Sequence, residues 1–138
     1  MRVTISRKAH FNAAHRLHNA HWSEEQNTKI FGKCNNPHYH GHNYDLVVSV
    51  TGDIDPDTGY VMDAKILKDL IKAEVEEALD HKNLNLDVDF MKGKMTSTEV
   101  LAIAIWEELD EGIAKLGAIL HSIKVQETEN NFVEYFGQ

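Results

Sequence analysis

The sequence predicts an α+β protein in which an antiparallel sheet carries two helices on one of its faces. Three observations predict this class: alternating apolar and polar residues near both ends of the chain, helical periodicity in two segments between them, and the resulting order ββααββ. A chain of 138 residues can bury a core of its own, so residues 1–138 are expected to form a single domain. Because four strands and two helices make a thin layer, we expect the second face of the sheet to need a neighbouring subunit.

Two strands and a long loop are predicted in the first part of the chain. Alternation over residues 3–11 predicts the first strand, and its parity continues to Leu17. The polar residues 18–38 are predicted to form an irregular loop, and loops of that length in compact domains usually serve a function. A second strand is predicted over 40–51, and the sequence DIDPDTG at 53–59 is typical of a turn.

Two helices are predicted in the middle of the chain. Asp63 is in a position to cap a helix over 64–79, whose apolar residues fall on one stripe: Ile66, Leu67, Leu70, Ile71, Val75, Ala78 and Leu79. Thr96 and Glu99 have the spacing of a capping box, which predicts the start of a second helix over 98–115. Both helices are therefore expected to lay an apolar stripe on the sheet.

Two further strands are predicted after Gly117, over 118–127 and 131–136. Glu127 is in phase with three apolar residues of the first of these strands, Ile119, Ile123 and Val125. A carboxylate at the end of an apolar strand face is either exposed to solvent or holds a ligand that donates hydrogen bonds. The strand pattern alone favours exposure.

The composition limits the partners and the compartment that we expect. The chain has 14 basic and 22 acidic residues and a net charge of −8, which argues against nucleic acid as the main partner. Its single cysteine cannot form an internal disulfide, and its first residues lack the apolar core of a signal peptide. The longest apolar run, Val100 to Trp106, is too short to cross a bilayer. We therefore expect a cytoplasmic protein with no membrane partner.

The stretch CNNPHYHGHNY, residues 34–44, combines the cysteine with three of the nine histidines. In a strand, His40 and His42 point to the same face, and Gly41 leaves the opposite face without a side chain. His15 has the matching phase in the first strand, so a hairpin would bring three imidazoles together. Three neutral imidazoles suit Zn²⁺, and an open fourth position is the mark of a catalytic zinc site. The alternative is a set of hydrogen-bonded core histidines, because an HxH pair alone is a weak metal signal.

Three roles remain open for Cys34: a fourth zinc ligand, a reactive thiol, or an inert buried side chain. Lys33 and the histidines that follow favour the thiolate form, which argues against an inert role. As a ligand, the cysteine would close the metal site and make it structural. An unligated thiol would leave the metal open to a substrate.

Asp80 and His81 directly follow the first predicted helix. A carboxylate bonded to one imidazole nitrogen raises the basicity of the other, so the pair is a candidate for acid–base chemistry. The alternative is a histidine that only interacts with the dipole of the helix.

Together these segments resemble the 6-pyruvoyl-tetrahydropterin synthase family. The resemblance spans nearly the whole chain and is carried, in order, by FNAAHRL (11–17), CNNPHYHGHNY (34–44), LDHKNLN (79–85), STE (97–99) and ETEN (127–130). The related 6-carboxy-tetrahydropterin synthases use the same substrate, but the gap between the cysteine and HGH is typically shorter in them. Five residues separate Cys34 from His40 here, which favours the pyruvoyl branch.

The resemblance implies a tunnelling fold (T-fold), in which subunits join their sheets into a barrel. The barrel is commonly part of a homo-oligomer, a hexamer built as a dimer of trimers, with sites at subunit interfaces. The functional residues that the resemblance implies are the zinc ligands His15, His40 and His42, the general base Cys34 with its partners Asp80 and His81, and the pterin-binding residues Glu127, Ser97 and Thr98.

The implied reaction is a lyase reaction of tetrahydrobiopterin biosynthesis. It converts 7,8-dihydroneopterin triphosphate to 6-pyruvoyl-tetrahydropterin with loss of triphosphate, with Zn²⁺ as Lewis acid and Cys34 as base. Three alternatives stay open. The product could be 6-carboxy-tetrahydropterin, as in queuosine biosynthesis; the protein could be a non-catalytic zinc- or pterin-binding module; or it could be an unrelated zinc hydrolase, against which the absence of HExxH argues.

Overall fold

The computed structural model describes all 138 residues, and the order of its strands and helices confirms the predicted α+β class. The strands are β1 Arg2–His15, β2 His40–Asp53, β3 Lys82–Asn83, β4 Ile119–Gln126 and β5 Phe132–Tyr135. The helices are α1 Glu24–Phe31, α2 Ala64–Ile71, α3 Glu77–Leu79 and α4 Thr98–Lys115. A π-helical turn, Lys72–Glu76, joins α2 to α3, and 3₁₀ turns occupy Gly32–Asn35 and Asp89–Met91.

The five strands form one sheet in the order β3-β1-β2-β4-β5. All neighbours are antiparallel except the two-residue β3, which runs parallel to β1. Phe11 of β1 pairs directly with Tyr44 of β2, and both side chains are buried under the helices. We call this covered side the inner face. The next pair along the hairpin, Asn12 with Asn43, points to the opposite side, which we call the outer face.

The helices pack on the inner face because their apolar stripes match the apolar residues of the strands. Ile71 of α2, Val75 of the π-helical turn, and Leu101 and Ile105 of α4 are completely buried in a core of 25 apolar residues. Burying one such side chain stabilises the fold by about 1.5–3 kcal/mol. None of the helices combines the length and the apolar composition that spanning a bilayer requires.

The N-cap of α4 is Ser97 and not Thr96, so the predicted capping box is wrong by one residue. The Ser97 hydroxyl accepts a hydrogen bond of 3.3 Å from the backbone N–H of Val100. The Thr96 hydroxyl instead donates to the carbonyl oxygen of Arg16, at 3.1 Å. This bond holds Thr96 at the end of β1, and Ser97 caps the helix instead.

The polar segment 18–38 contains α1, which the prediction of an irregular loop missed. Ser23 caps this helix by accepting a hydrogen bond of 3.1 Å from the backbone N–H of Gln26. The one buried residue of α1 is polar: Asn27, whose side-chain amide donates to the carbonyls of Asn19 and Ser23. The side-chain amide of Asn27, and not an apolar stripe, holds this helix against the rest of the chain. Hydrophobic periodicity therefore could not predict it.

Two face assignments were also wrong. Ile119 was expected on the apolar face of β4, but a bulge shifts the register of β4 against Ser49 and Val50 of β2. As a result Leu120 is 4% exposed and Ile119 is 51% exposed. On α2, Ile66 lies at the exposed edge of the predicted stripe.

Candidate metal centre and active site

Three histidines at the end of the β1–β2 hairpin share the inner face. His15 pairs directly with His40, and His42 lies two residues further along β2. The ring centroids are 4.5 Å apart for His15 and His40, 5.1 Å for His15 and His42, and 5.0 Å for His40 and His42. One nitrogen of each ring lies within 4.8 Å of the other two, so this group could hold a metal ion. The hairpin thus brings together the three imidazoles that the sequence pattern placed on one face.

The orientation of His15 is set by the chain just before α4. His15 Nδ1 lies 2.7 Å from the backbone carbonyl oxygen of Thr96. Because a carbonyl oxygen only accepts, Nδ1 carries the proton and Nε2 presents its lone pair to the other two rings. A hydrogen bond from the second ring nitrogen orients metal-binding histidines in the same way.

The three imidazoles are held in the neutral form that a metal requires. Burial is the main reason why the pKa values of His15, His40 and His42 lie below the usual 6.5. Neighbouring histidines add to the lowering, and the carboxylate of Glu127 opposes it. His15 Nε2, His42 Nε2 and both ring nitrogens of His40 are buried without a hydrogen-bond partner. A bound metal ion would satisfy such atoms, so the residues present fit a metal centre.

Glu127 directly follows β4 and faces the histidines. Its Oε1 lies 2.9 Å from His42 Nε2 and 4.0 Å from His15 Nε2, and its Oε2 accepts a short hydrogen bond from the Thr98 hydroxyl. The side chain is 26% exposed, so the exposure favoured by the strand pattern is wrong. The pairing of Asp45 with Gln126 explains the position, because it directs the residue that follows β4 to the inner face.

Ser97 and Thr98 stand at the start of α4 and use their hydroxyls differently. Ser97 caps the helix, whereas Thr98 is buried and donates to Glu127. The positive end of the helix dipole at this position also favours a carboxylate. Of the two residues expected near a pterin, only Thr98 contacts the carboxylate.

Cys34 lies in the 3₁₀ turn that follows α1, with its thiol half-buried and unpaired to any other cysteine. Its backbone carbonyl accepts a hydrogen bond of 2.8 Å from Leu17, which ties the turn to the end of β1. Cys34 is not part of the metal-binding group of histidines. Burial raises the pKa of Tyr44, and the charges of Glu127 and Cys34 raise it further.

Asp80 and His81 contact each other through their side chains at the opposite side of the sheet. Asp80 Oδ2 lies 2.9 Å from His81 Nδ1, and Asp80 Oδ1 accepts a hydrogen bond of 2.8 Å from the backbone N–H of Asn12. These bonds from Asn12 and then His81 lower the pKa of the Asp80 carboxyl. The pair borders a cavity of about 390 Å³ on the outer face, lined by His10, Phe11, Asn12, Asn43, Asp45, Asp80 and His81. No hydrogen bond joins the pair to Cys34 within the chain.

Tyr44 is a site residue that the sequence reasoning did not single out. It is completely buried, its ring centroid lies 5.5 Å from that of His42, and its hydroxyl has no hydrogen-bond partner. The signal was present, because Tyr44 follows His42 by two residues and therefore shares its face. The Thr96 carbonyl that orients His15 was also missed, and a backbone group leaves no signal in a sequence.

Known proteins resemble this chain over nearly its whole length. Residues 4–138 match the family model described as 6-pyruvoyl tetrahydropterin synthase. The 6-pyruvoyl tetrahydrobiopterin synthase of Homo sapiens is 46% identical over 134 residues, which cover 97% of this chain and 91% of the relative. The synthase of the same name from Dictyostelium discoideum is 45% identical over 136 residues, covering 99% and 97%.

A solved structure and a more distant relative complete the comparison. The 6-pyruvoyl tetrahydropterin synthase structure from Caenorhabditis elegans superposes with a TM-score of 0.93 at 38% identity, covering 100% of this chain and 97% of that one. A 6-carboxy-5,6,7,8-tetrahydropterin synthase from Synechocystis is 34% identical over 110 residues, covering 76% of this chain and 78% of the relative. The chain therefore belongs to the 6-pyruvoyl tetrahydropterin synthase family.

Proposed function

We propose that this protein is a zinc-dependent lyase that converts 7,8-dihydroneopterin triphosphate to 6-pyruvoyl-tetrahydropterin and triphosphate. The observation that carries the proposal is the meeting of His15, His40 and His42 with Glu127 on one buried face. This arrangement combines a metal-ligand set with an acceptor for the N–H groups of a pterin. The names of the relatives with more than 40% identity support the same activity.

The three histidines would hold the ion, and an all-imidazole set suits zinc among the available divalent metals. Bound there, Zn²⁺ would act as a Lewis acid that acidifies the C–H bonds beside the side-chain hydroxyls of the substrate. The reaction needs no external oxidant. The two electrons released when the hydroxyl carbon next to the ring becomes a carbonyl reduce the C6=N5 double bond of the dihydropterin ring. Removal of the proton on the second hydroxyl carbon forms a C=C bond and expels triphosphate, which leaves with the electrons of its C–O bond. The resulting enol then becomes a second carbonyl beside a methyl group.

The residues of the chain divide the remaining work. Glu127 accepts hydrogen bonds from the amino group and ring N–H of the pterin, and Thr98 holds the carboxylate in place for that contact. The Cys34 thiolate removes a proton from the side chain of the substrate. Cys34 is free for this role because it is not part of the metal-binding group.

We further propose that the catalytic unit is a cytoplasmic homo-oligomer, a hexamer built as a dimer of trimers. Asp80 and His81 lie on the outer face, whereas the three histidines lie on the inner face. A proton relay from a substrate held at the histidines to His81 would therefore use an Asp80–His81 pair from another copy of the chain. The same assembly would cover the outer face of the sheet.

Incubating the zinc-loaded protein with 7,8-dihydroneopterin triphosphate, followed by mass analysis of the product, tests the proposal. We expect triphosphate and a product that keeps all the carbons of the substrate side chain. Cys34→Ala should abolish triphosphate release and leave the zinc content unchanged. Zinc loss in this variant would instead make the thiol a fourth ligand and favour a non-catalytic zinc module.

A second candidate is the 6-carboxy-tetrahydropterin synthase reaction of queuosine biosynthesis. The Synechocystis relative of that name favours it, although it matches less of this chain and at a lower identity than the pyruvoyl synthases. The product mass separates the two reactions, because a carboxy product keeps only one carbon of the substrate side chain.

A further inference from the structure

We propose that Glu127 has a second role: it is the fourth ligand of the metal ion while no pterin is bound, and pterin binding withdraws it. The withdrawal half of this inference rests on the proposed function, in which the same carboxylate anchors the pterin ring. The ligand half rests on the geometry of the histidine group alone.

The spacing of the donor atoms supports the ligand half. Donor atoms that share one tetrahedral Zn²⁺ at about 2.0–2.2 Å lie about 3.3 Å from one another. Glu127 Oε1 is 2.9 Å from His42 Nε2 and 4.0 Å from His15 Nε2, which brackets that value. Because Oε1 is already 2.9 Å from His42 Nε2, the carboxylate lies beside the position of an ion bound to this nitrogen, and rotation of the carboxylate would complete the coordination.

The contact between Glu127 and His42 does not have the geometry of a hydrogen bond. Although Oε1 is 2.9 Å away, His42 Nε2 has no hydrogen-bond partner, so the oxygen lies off the axis of this ring nitrogen. Two atoms that bind the same metal ion are close together without being aligned for a hydrogen bond, because the lone pair of each is directed at the ion. The low exposure of His15 and His42 strengthens the attraction between the carboxylate and a dication.

The second carboxylate oxygen supplies the reason why pterin would withdraw Glu127. Oε2 is held by the Thr98 hydroxyl, while Oε1 is turned toward the histidines. The amino group and ring N–H of a pterin point in the same direction and pair best with both oxygens of one carboxylate. Glu127 therefore has to turn Oε1 away from His42 to receive the ring. The fourth metal position would then open only when a pterin is in place.

The visible absorption of bound Co²⁺ reports its ligands and coordination number, and so tests the ligand half without any turnover. We expect Glu127→Gln to change the Co²⁺ spectrum and to weaken Zn²⁺ binding about tenfold in competition with a chelator. Glu129→Gln is the matched control, because this exposed carboxylate lies in the same turn, and it should leave both readouts at the wild-type values. A Glu127→Gln spectrum identical to that of the wild type would overturn the inference.

Titration with 7,8-dihydropterin, which lacks the side chain and therefore has no hydroxyl that could reach the metal, tests the withdrawal half. We expect it to shift the Co²⁺ spectrum of the wild-type protein. If the pterin binds and the spectrum does not change, Glu127 does not leave the metal and the withdrawal is wrong. Failure of the proposed function has a different signature: the wild-type zinc protein would leave dihydroneopterin triphosphate unconverted, while Glu127→Gln still altered the Co²⁺ spectrum.

Discussion

At the His15 end of the hairpin, the two faces of the sheet differ in how exposed their polar side chains are and in whether these side chains have partners, although the same two strands form both faces. On the inner face His15 and His42 are 2% and 18% exposed at their side chains, neutral, and without partners for their Nε2 atoms. On the outer face Asp80 and His81 are 44% and 82% exposed and already paired with each other. The inner face presents unpaired ring nitrogens that fit a metal ion, whereas the outer face presents an exposed contact between a carboxylate and an imidazole.

Strand register, and not proximity in the sequence, decides to which face of the sheet each candidate site residue belongs. His42 and Asn43 are adjacent in the chain, yet one belongs to the metal group and the other to the outer cavity. A slip of one residue in the pairing of His15 with His40 would move every side chain of one strand to the other face. The proposed reaction needs groups from both faces, so a single copy of the chain holds two incomplete parts of a site.

The largest effect is expected from removing one metal ligand on the inner face. His42→Ala should weaken Zn²⁺ binding by more than about 100-fold, because even outer-shell changes at metal sites cost 10- to 100-fold. His10→Ala is the control, since His10 lies on the outer face of the same hairpin and should retain the metal. Metal content after dialysis measures the difference. Equal zinc loss in both variants would contradict the division between the faces.

The next effect tests whether the two faces meet between copies. Cys34→Ala and His81→Ala should each be inactive alone. When the two variants are co-expressed and assemble at random, about a quarter of the sites should contain both intact residues, and about a quarter of the wild-type activity should return.

Triphosphate release from the purified mixed oligomer measures this recovery. If Cys34 and His81 of the same chain formed the site, every site would carry one of the two lesions and no activity would return. That outcome would make the separation of the two faces irrelevant to the reaction.

Sequence reasoning could predict the inner face because the signals there are periodic. The alternation that ends in His15, the spacing of His40 and His42, and the length of α4 all follow from strand and helix periods. The same period failed at Ile119, because one bulge in β4 reverses the parity and no residue type announces it.

The remaining features depend on contacts that are distant in sequence. The Thr96 carbonyl on His15 and the Asp80 carboxylate on Asn12 each join segments almost 70 residues or more apart. Such bonds are made by backbone groups that every residue carries, so no side-chain pattern points to them. Helix α1 was missed for a related reason, because its buried residue is the polar Asn27.

A smaller effect, on the stability of the fold, is expected at Tyr39, the residue that precedes His40 at the start of β2. Tyr39 has a φ of 69°, a left-handed conformation that costs about 1–2 kcal/mol in a residue with a side chain. Tyr39→Gly should relieve this strain in the folded protein. Glycine also increases the conformational entropy of the unfolded chain, which offsets part of the effect, so we expect a net stabilisation of about 0.5–1 kcal/mol. Urea unfolding measures the change. His38→Gly, at the preceding residue with an ordinary φ, should not stabilise, and equal effects at both positions would contradict the explanation.

The smallest effect is expected on the outer face, where the exposed pair of Asp80 and His81 adds little to stability. The backbone N–H of Asn12 and the His81 side chain lower the pKa of folded Asp80 below 3.8. The charged carboxylate therefore stabilises the fold fully above pH 3.8, and the stabilisation disappears as the pH falls through the lower pKa of the folded state. Asp80→Asn should be slightly less stable than the wild type in urea at pH 7, and the difference should vanish in acid. A difference for Asp80→Asn that persisted in acid would assign the effect to packing instead of charge.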